Sequence, residues 1–305
     1  VATPTTQSFF SYVLLFLPPF FWSTNFIVGK ALVGSVPPWT LNTGRFVVSA
    51  LFLVPFLIYS GAWRTVPKSA LPALVLMSLV GVSAFNSLLY AGLRHTSAIN
   101  GSLVNAAMPI TTACIAWFLI GEKMTRRRLF GIVLSFGGVA WIVGGGDWDS
   151  VLSLRVNPGD LLVFFATTLW GFYSVMAKKL MQTVSPFVLT AVTTGIGVVF
   201  LIPAALIELS FEAADLGRPD VLWSFVYLGI FPSLVAFLLW NRSILVFGPT
   251  KAALVYNTIP LFAVVLSVLI LGETPRFFQL AGGMAIVLGV VIGTMESRPK
   301  ARRTV

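Results

Sequence analysis

The sequence predicts an all-α integral membrane protein, with ten transmembrane helices arranged as two inverted five-helix repeats around a central cavity. Three observations lead there. Of 305 residues, 57% are hydrophobic and only 10% are charged, and the mean hydropathy is +0.93; soluble domains carry roughly 25% charged residues. The apolar residues gather into stretches of the length that crosses a bilayer, around 20 helical residues for a hydrocarbon core about 30 Å thick. One block also occurs twice, about 151 residues apart: 89–143 parallels 239–293, with Pro109 on Pro260, Gly121-Glu122 on Gly272-Glu273, Gly131 on Gly282 and Gly138 on Gly289. A weaker match joins Trp22 and Lys30 to Trp170 and Lys178.

The first stretch, 9–29, has no basic residue before it and no small-residue cleavage site after it, so it reads as a permanent span rather than a signal peptide. Trp22, Asn25 and Gly29 share one of its faces. The second, 36–60, is the only stretch with a charge inside it, Arg45. The third, 69–93, aligns Ser83, Asn86 or Ser87, and Tyr90. The fourth, 96–121, aligns Gly101, Asn105, Met108 and Thr112 around a central Pro109. The fifth, 129–146, puts Gly131, Ser135 and Gly138 on one face, and small residues four apart let helices approach closely.

The sixth stretch, 161–177, carries Thr167, Trp170 and Ser174 in line with Lys178. The seventh, 184–207, is apolar with few landmarks. The eighth, 221–241, ends on Ser233, Phe237, Trp240 and Asn241. The ninth, 252–272, holds Tyr256, Asn257, Thr258 and Pro260, and the tenth, 277–295, aligns Ala285, Gly289 and Gly293. The glycine faces of the fifth and tenth suit packing within the chain or a dimer contact. The longest connection, 208–220, leaves no room for a soluble domain between spans.

Charge sets the topology. The net charge of +10 could suggest nucleic acid, but its distribution follows the positive-inside rule instead. With the N-terminus inside, inner loops receive Arg64, Lys68, Lys123, Arg126, Arg127, Arg128, Lys178, Lys179, Arg242 and Lys251, and the C-terminal tail adds four more basic residues. Outer loops receive only Lys30, Arg94, Arg155, Arg218 and Arg276. Both termini are then cytoplasmic. Five helices per half is an odd number, so the second copy must be inverted relative to the first. The halves are 1–148 and 149–305, joined by a polar outer segment containing Asp147, Asp149, Asn157, Pro158 and Asp160.

Polar residues inside spans are costly and therefore informative. Trp22, Asn25, Asn86, Tyr90, Asn105, Trp170, Ser174, Trp240, Tyr256 and Asn257 are the candidate substrate-binding residues. The bland alternative is that hydroxyls bond their own helix and aromatics form interfacial belts, an alternative that suits Trp39, Trp63 and Trp148. Pro109 and Pro260 are the candidate hinges. Each removes a donor and frees the carbonyl four residues earlier, on Asn105 and Tyr256. Arg45 and Lys30 are candidate contacts for a substrate carboxylate in an outer cavity, or cations that snorkel to headgroups.

Glu122 and Glu273 occupy equivalent turns and read as helix-start residues. With no carboxylate at mid-membrane, facilitated diffusion or exchange is expected rather than a proton relay.

Catalysis finds little support. Gly144-Gly145-Gly146-Asp147 superficially resembles an intramembrane aspartyl protease motif, but that chemistry needs a carboxylate pair, and Asp147 falls at a helix end. The lone His95 and the lone Cys114 suggest neither a metal site nor a disulfide, and no catalytic residue, metal or cofactor is expected. A receptor or scaffold would need an exposed binding domain. The sequons at Asn100 and Asn241 lie in or beside spans.

The run Phe21-Trp22-Ser23-Thr24-Asn25-Phe26-Ile27-Val28-Gly29-Lys30, followed by Pro37-Pro38 and Arg45, resembles the start of ten-helix EamA-type members of the drug/metabolite transporter superfamily. The stretches ending in Pro109 with Gly121-Glu122, and in Pro260 with Gly272-Glu273, are similar to that family's repeated signature. The resemblance covers nearly the whole chain. It implies a basket whose cavity is lined mainly by helices 1, 3, 4, 6, 8 and 9, and an exporter of small amphipathic metabolites, amino acids foremost, by alternating access. Drugs, purines or other metabolites are the alternative cargo. Sugar phosphates would need paired Lys/Arg on the inner helices, a pair this chain lacks. The expected partners are a small-molecule substrate and membrane lipids, with no nucleic acid, in a monomer or weak homodimer of a bacterial inner membrane.

Overall fold

The computed structural model describes residues 9–121, 125–153, 156–240, 255–256 and 258–294. Every regular element among them is helical. The principal segments are α1 (Phe9–Leu32), α2 (Pro38–Tyr59), α3 (Lys68–His95), α4 (Ala98–Leu119), α5 (Arg126–Val143), α6 (Pro158–Leu180), α7 (Pro186–Phe211), α8 (Pro219–Trp240), α9 (Ile259–Leu271) and α10 (Phe277–Thr294). Six of them, α2, α3, α4, α6, α7 and α8, are each long and apolar enough to cross a membrane. The chain is an all-helical, multi-pass membrane protein.

The helices begin and end where local chemistry dictates. Ser97, Thr125, Asn157 and Ser185 accept from backbone N–H groups at the starts of α4, α5, α6 and α7. Prolines occupy the first turns of α2, α6, α7 and α8, where a missing N–H costs nothing. Gly121 and Gly272, repeat partners, close α4 and α9 in the same left-handed conformation, φ 66°. Several helices overrun their apolar stretches: α1 reaches Leu32, α5 takes in Arg126, and α6 starts at Pro158. Apolarity marks the hydrocarbon zone, whereas caps mark the helix ends. Asp160 is consequently a buried first-turn residue of α6 rather than part of a polar loop.

The spans are not uniform. α4 breaks at Ala106–Ala107 and resumes at Met108-Pro109, and α9 opens on Ile259-Pro260. α3 widens into a π-helical turn at Ser78–Ala84, and α8 does so at Gly229–Val235, the same number of residues at the repeat offset. Sequence pattern foretold the proline break in α4 but not the π turns of α3 and α8.

α5 and α10 pack through their small residues. A Cβ on Gly131 would lie 2.4 Å from the Gly289 carbonyl oxygen, and one on Gly138 would lie 2.6 Å from that of Gly282. Each glycine thus meets the copy of the other. Ser135 Oγ donates to the Ile286 carbonyl at 3.0 Å, a pair 151 residues apart. These small-residue faces are filled inside the chain, which removes them as a dimer contact. Large side chains such as Phe52, Phe56, Phe118, Leu206 and Leu269 point outward, as the lipid-facing side of a bundle requires.

Candidate functional site

The polar centre of the bundle is Arg45. Glycines bring α8 against α2 around it: a Cβ on Gly44 would strike the Phe225 ring at 2.6 Å, and one on Gly229 would sit 2.7 Å from the Arg45 carbonyl oxygen. The side chain is 2% exposed. Its Nε donates to Ser233 Oγ at 2.8 Å, and its Nη1 to Asn25 Oδ1 at 2.7 Å, Asn86 Oδ1 at 3.0 Å and Tyr90 Oη at 2.8 Å. The Tyr90 hydroxyl in turn donates to Asn25 Oδ1 at 2.5 Å. All four partners are neutral, and among the described residues no carboxylate pairs with this guanidinium.

The π turns shape this hub. Asn42, one helical turn before Arg45, donates to the carbonyls of Val82 and Ser83 and to Ser87 Oγ, bracing the wide turn of α3. Ser233 donates five residues back, to the Leu228 carbonyl at 2.8 Å, within the wide turn of α8, and so presents its oxygen to Arg45.

Aromatic walls close the space beside the hub. Trp22 lies 5.4 Å from Trp240, 5.5 Å from Tyr256 and 5.7 Å from Phe237 between ring centroids, and its Nε1 donates to the Pro232 carbonyl at 3.0 Å. Trp170 sits 4.9 Å from both Tyr173 and Phe85. Asn105 Nδ2 donates to Tyr256 Oη at 3.2 Å, joining two residues related by the repeat, and Asn105 Oδ1 accepts from Thr167. The chamber between these groups holds about 30 Å³ of free space, the scale of one water molecule. A metabolite fits only if the walls part.

A second cavity, about 500 Å³, opens at the turn from α3 to α4. It is larger and more highly charged, but its groups hold the backbone. Lys30 Nζ donates to the Leu93 and Thr96 carbonyls at 2.8 and 2.6 Å, closing the C-terminus of α3. Glu273 accepts from the N–H groups of Ala98 and Ile99 at 2.8 and 3.0 Å, closing the N-terminus of α4. Glycines again set the spacing: a Cβ on Gly159 would lie 2.6 Å from the Gly92 carbonyl oxygen.

That close crossing lays Asp160 against Thr96 (2.5 Å) and Asn100 (3.0 Å), and Gln279 donates to Asn100 Oδ1 at 2.6 Å. At the rim, Arg94 pairs with Glu212 through two bonds, 2.9 and 2.6 Å, and these hold the Glu212 carboxyl below its ordinary pKa.

Of the residues predicted from sequence, Trp22, Asn25, Asn86, Asn105, Trp170 and Tyr256 line the chamber with Arg45. Tyr90 reaches it by bonding Arg45, and Trp240 through its contacts with Trp22 and Tyr256. Arg45 is therefore buried inside the bundle, at the chamber wall. Lys30 is in the cleft, with its donors on α3 carbonyls. Ser174 bonds the Trp170 carbonyl of its own helix and does not line the chamber. Asn257 lies outside the described residues. Pro109 starts the resumed half of α4, and Pro260 lies in the first turn of α9.

Sequence reasoning missed Asn42 and Phe85 beside the chamber, and noted Ser233 and Phe237 without selecting them. The polar run Asn42-Thr43-Gly44-Arg45 inside an apolar span was the available signal. Asp147, from the protease-like motif, caps the short helix Trp148–Leu152 by accepting from Asp149 and Ser150 N–H groups.

Residues 9–144 and 157–295 each match the model of the EamA-like transporter family. The chain is 27% identical over 282 residues to the uncharacterized transporter YyaM of Bacillus subtilis, covering 92% of each chain. It is 26% identical over 270 residues to an S-adenosylmethionine/S-adenosylhomocysteine transporter of Chlamydia muridarum, covering 86% of this chain and 84% of the relative. A solved structure titled only as the crystal structure of a protein aligns over 95% of this chain and 99% of its own, with TM-score 0.62 and 21% identity, a likeness of fold alone.

Proposed function

Because this chain belongs to the EamA-like transporter family, and so is a membrane transporter, we propose that it exports small amphipathic metabolites, amino acids foremost, by alternating access. Ten helices form two inverted repeats, 1–148 and 149–305, that rock about the central chamber, with Pro109 and Pro260 as bends. Three features support the inversion: the odd number of spans per half, the charge bias of the loops, and the contacts of Asn105 with Tyr256 and of Ser135 with Ile286. A residue touches its own repeat copy only close to a two-fold axis, and both pairs are 151 residues apart. The termini are cytoplasmic, the membrane is a bacterial inner membrane, and the protein works as a monomer or weak homodimer.

The observation that carries the substrate reading is Arg45. A guanidinium 2% exposed in a membrane bundle, bonded only to neutral groups, is an expensive arrangement unless an anion arrives to complete it. A substrate carboxylate is such an anion. The amide N–H groups suit the carboxylate, the Asn105 and Tyr256 carbonyls suit an ammonium group, and the Trp22, Trp170 and Tyr256 rings tolerate varied side chains. The chlamydial relative is named for two compounds that both contain an α-amino acid group.

Counterflow tests this directly. Protein reconstituted in liposomes preloaded with one unlabelled amino acid should transiently accumulate its labelled form, and Asn105→Ala, Tyr256→Phe or Trp170→Ala should weaken that accumulation. If none of the twenty amino acids gives counterflow, the reading fails. The ring cluster favours a second reading, a flat heterocycle such as a purine or a drug; that cargo would compete in the same vesicles without depending on Arg45.

A further inference from the structure

The chamber's hydrogen-bonding groups are polarised. A guanidinium can only donate, so it fixes the amides beside it: Asn25 and Asn86 both turn Oδ1 toward Arg45, which directs each Nδ2 away from it. Among the described residues, neither Asn25 Nδ2, nor Asn86 Nδ2, nor Arg45 Nη2 donates to any acceptor, and all three residues line the chamber. Each of those nitrogens carries two N–H groups. The side-chain acceptors around Arg45 already hold donors: Asn25 Oδ1 takes two, from Arg45 and Tyr90, and Asn86 Oδ1 and Tyr90 Oη take one each from Arg45. No acidic side chain is among the described residues lining this space.

Resting on the reading of this chamber as the transport site, we propose that it selects the carboxylate end of its substrate, with the amino group secondary. Amphipathic monocarboxylates that lack an amine, such as aryl- and alkyl-carboxylates and 2-oxo acids, are then ligands of the same site. A carboxylate has four lone-pair sites for the fan of donors and neutralises the guanidinium. Charge-assisted bonds of that kind are about twice as strong as neutral ones, whereas an ammonium group meets only neutral carbonyls and ring faces. The rings take the apolar end.

Trp22, Trp170 and Tyr256 in the wall supply a readout that does not depend on transport. The detergent-purified protein would be titrated with L-phenylalanine, 3-phenylpropanoate and phenethylamine while its tryptophan fluorescence is followed. The expected result is 3-phenylpropanoate within about tenfold of L-phenylalanine and phenethylamine weaker by roughly a hundredfold, since it leaves the buried donors unmet. Phenethylamine binding as tightly as 3-phenylpropanoate overturns the proposal, and so does failure of 3-phenylpropanoate to bind.

Two variants locate the effect. Arg45→Gln removes the charge. Asn86→Asp keeps side-chain volume and the bond to Arg45 while giving it an internal counter-ion, so it is expected to fold where Arg45→Gln does not, which a melting curve checks. Both should abolish 3-phenylpropanoate binding, and binding unchanged in Asn86→Asp overturns the proposal. Binding that follows the expected order without amino-acid counterflow would sink the export reading alone; counterflow with phenethylamine preferred would sink this inference alone.

Discussion

The central chamber and the cleft at the α3–α4 turn are both polar, and both are built from residues of the two sequence repeats, yet their polar groups do opposite things. In the cleft, Lys30 holds α3 carbonyls, Glu273 holds α4 N–H groups, and Asp160 is met by Thr96 and Asn100. Charges of both signs end on the protein itself. In the chamber, one cation is surrounded by neutral oxygens and unanswered N–H groups. The cleft has about 500 Å³ of space and the chamber about 30 Å³. Size alone would favour the cleft; the proposed site is the chamber because its groups are left for a ligand to complete.

The largest effect that tests this contrast is Arg45→Ala. It leaves Asn86 Oδ1 without its donor in the core, at about 1–3 kcal/mol, and takes one bond each from Asn25, Tyr90 and Ser233, which keep the Tyr90–Asn25 and Ser233–Leu228 bonds. Transport should therefore fall at least about 100-fold, and thermal stability should drop. Scintillation-counted counterflow and a melting curve in detergent would measure the two losses together. A variant that transports normally would dissolve the distinction between the regions.

In the cleft, Asp160→Ala should destabilise by about 1–3 kcal/mol, because the Thr96 hydroxyl and the Asn100 amide lose their acceptor. Ligand affinity, read by fluorescence titration, should stay within twofold; a larger change would make the cleft part of the site. Glu273→Gln removes a charged cap from α4 and should cost about 1 kcal/mol in the same melting assay, with transport retained.

The smallest effect is at Glu212, where an exposed pair with Arg94 contributes about 0.5 kcal/mol at most. Its carboxyl is held below its ordinary pKa by Arg94, so the contribution is full above the usual carboxylate range and fades as pH falls through the lowered value. The melting difference between wild type and Glu212→Gln should therefore shrink below about pH 4 and in high salt.

Much of this architecture was legible in the chain. Apolar length located the six helices long enough to cross a membrane, and Pro109 marked the break before Met108, because a missing N–H is written in the residue itself. Most of the chamber's wall was legible too, since Asn25, Asn86 and Asn105 have no cheap place in hydrocarbon. Arg45 was visible but its burial was not: a charge in a span can snorkel or be buried, and only the Gly44 and Gly229 contacts with α8 and α2 decide between them. Ser233 was undervalued because its oxygen reaches Arg45 through a π turn. Asp160 was assigned to a loop because its burial depends on the Gly92–Gly159 crossing, a fact about two distant segments. Lys30 lay on the right helix but at its end, where α3 carbonyls take its donors.

The most direct test sets the two regions against each other in one assay: amino-acid counterflow into liposomes carrying wild type, Asn86→Asp or Glu273→Gln. The chamber variant, with its internal counter-ion, should lose counterflow while the cleft variant keeps it. Counterflow that survives Asn86→Asp and disappears with Glu273→Gln would contradict the account and move the transport site to the cleft.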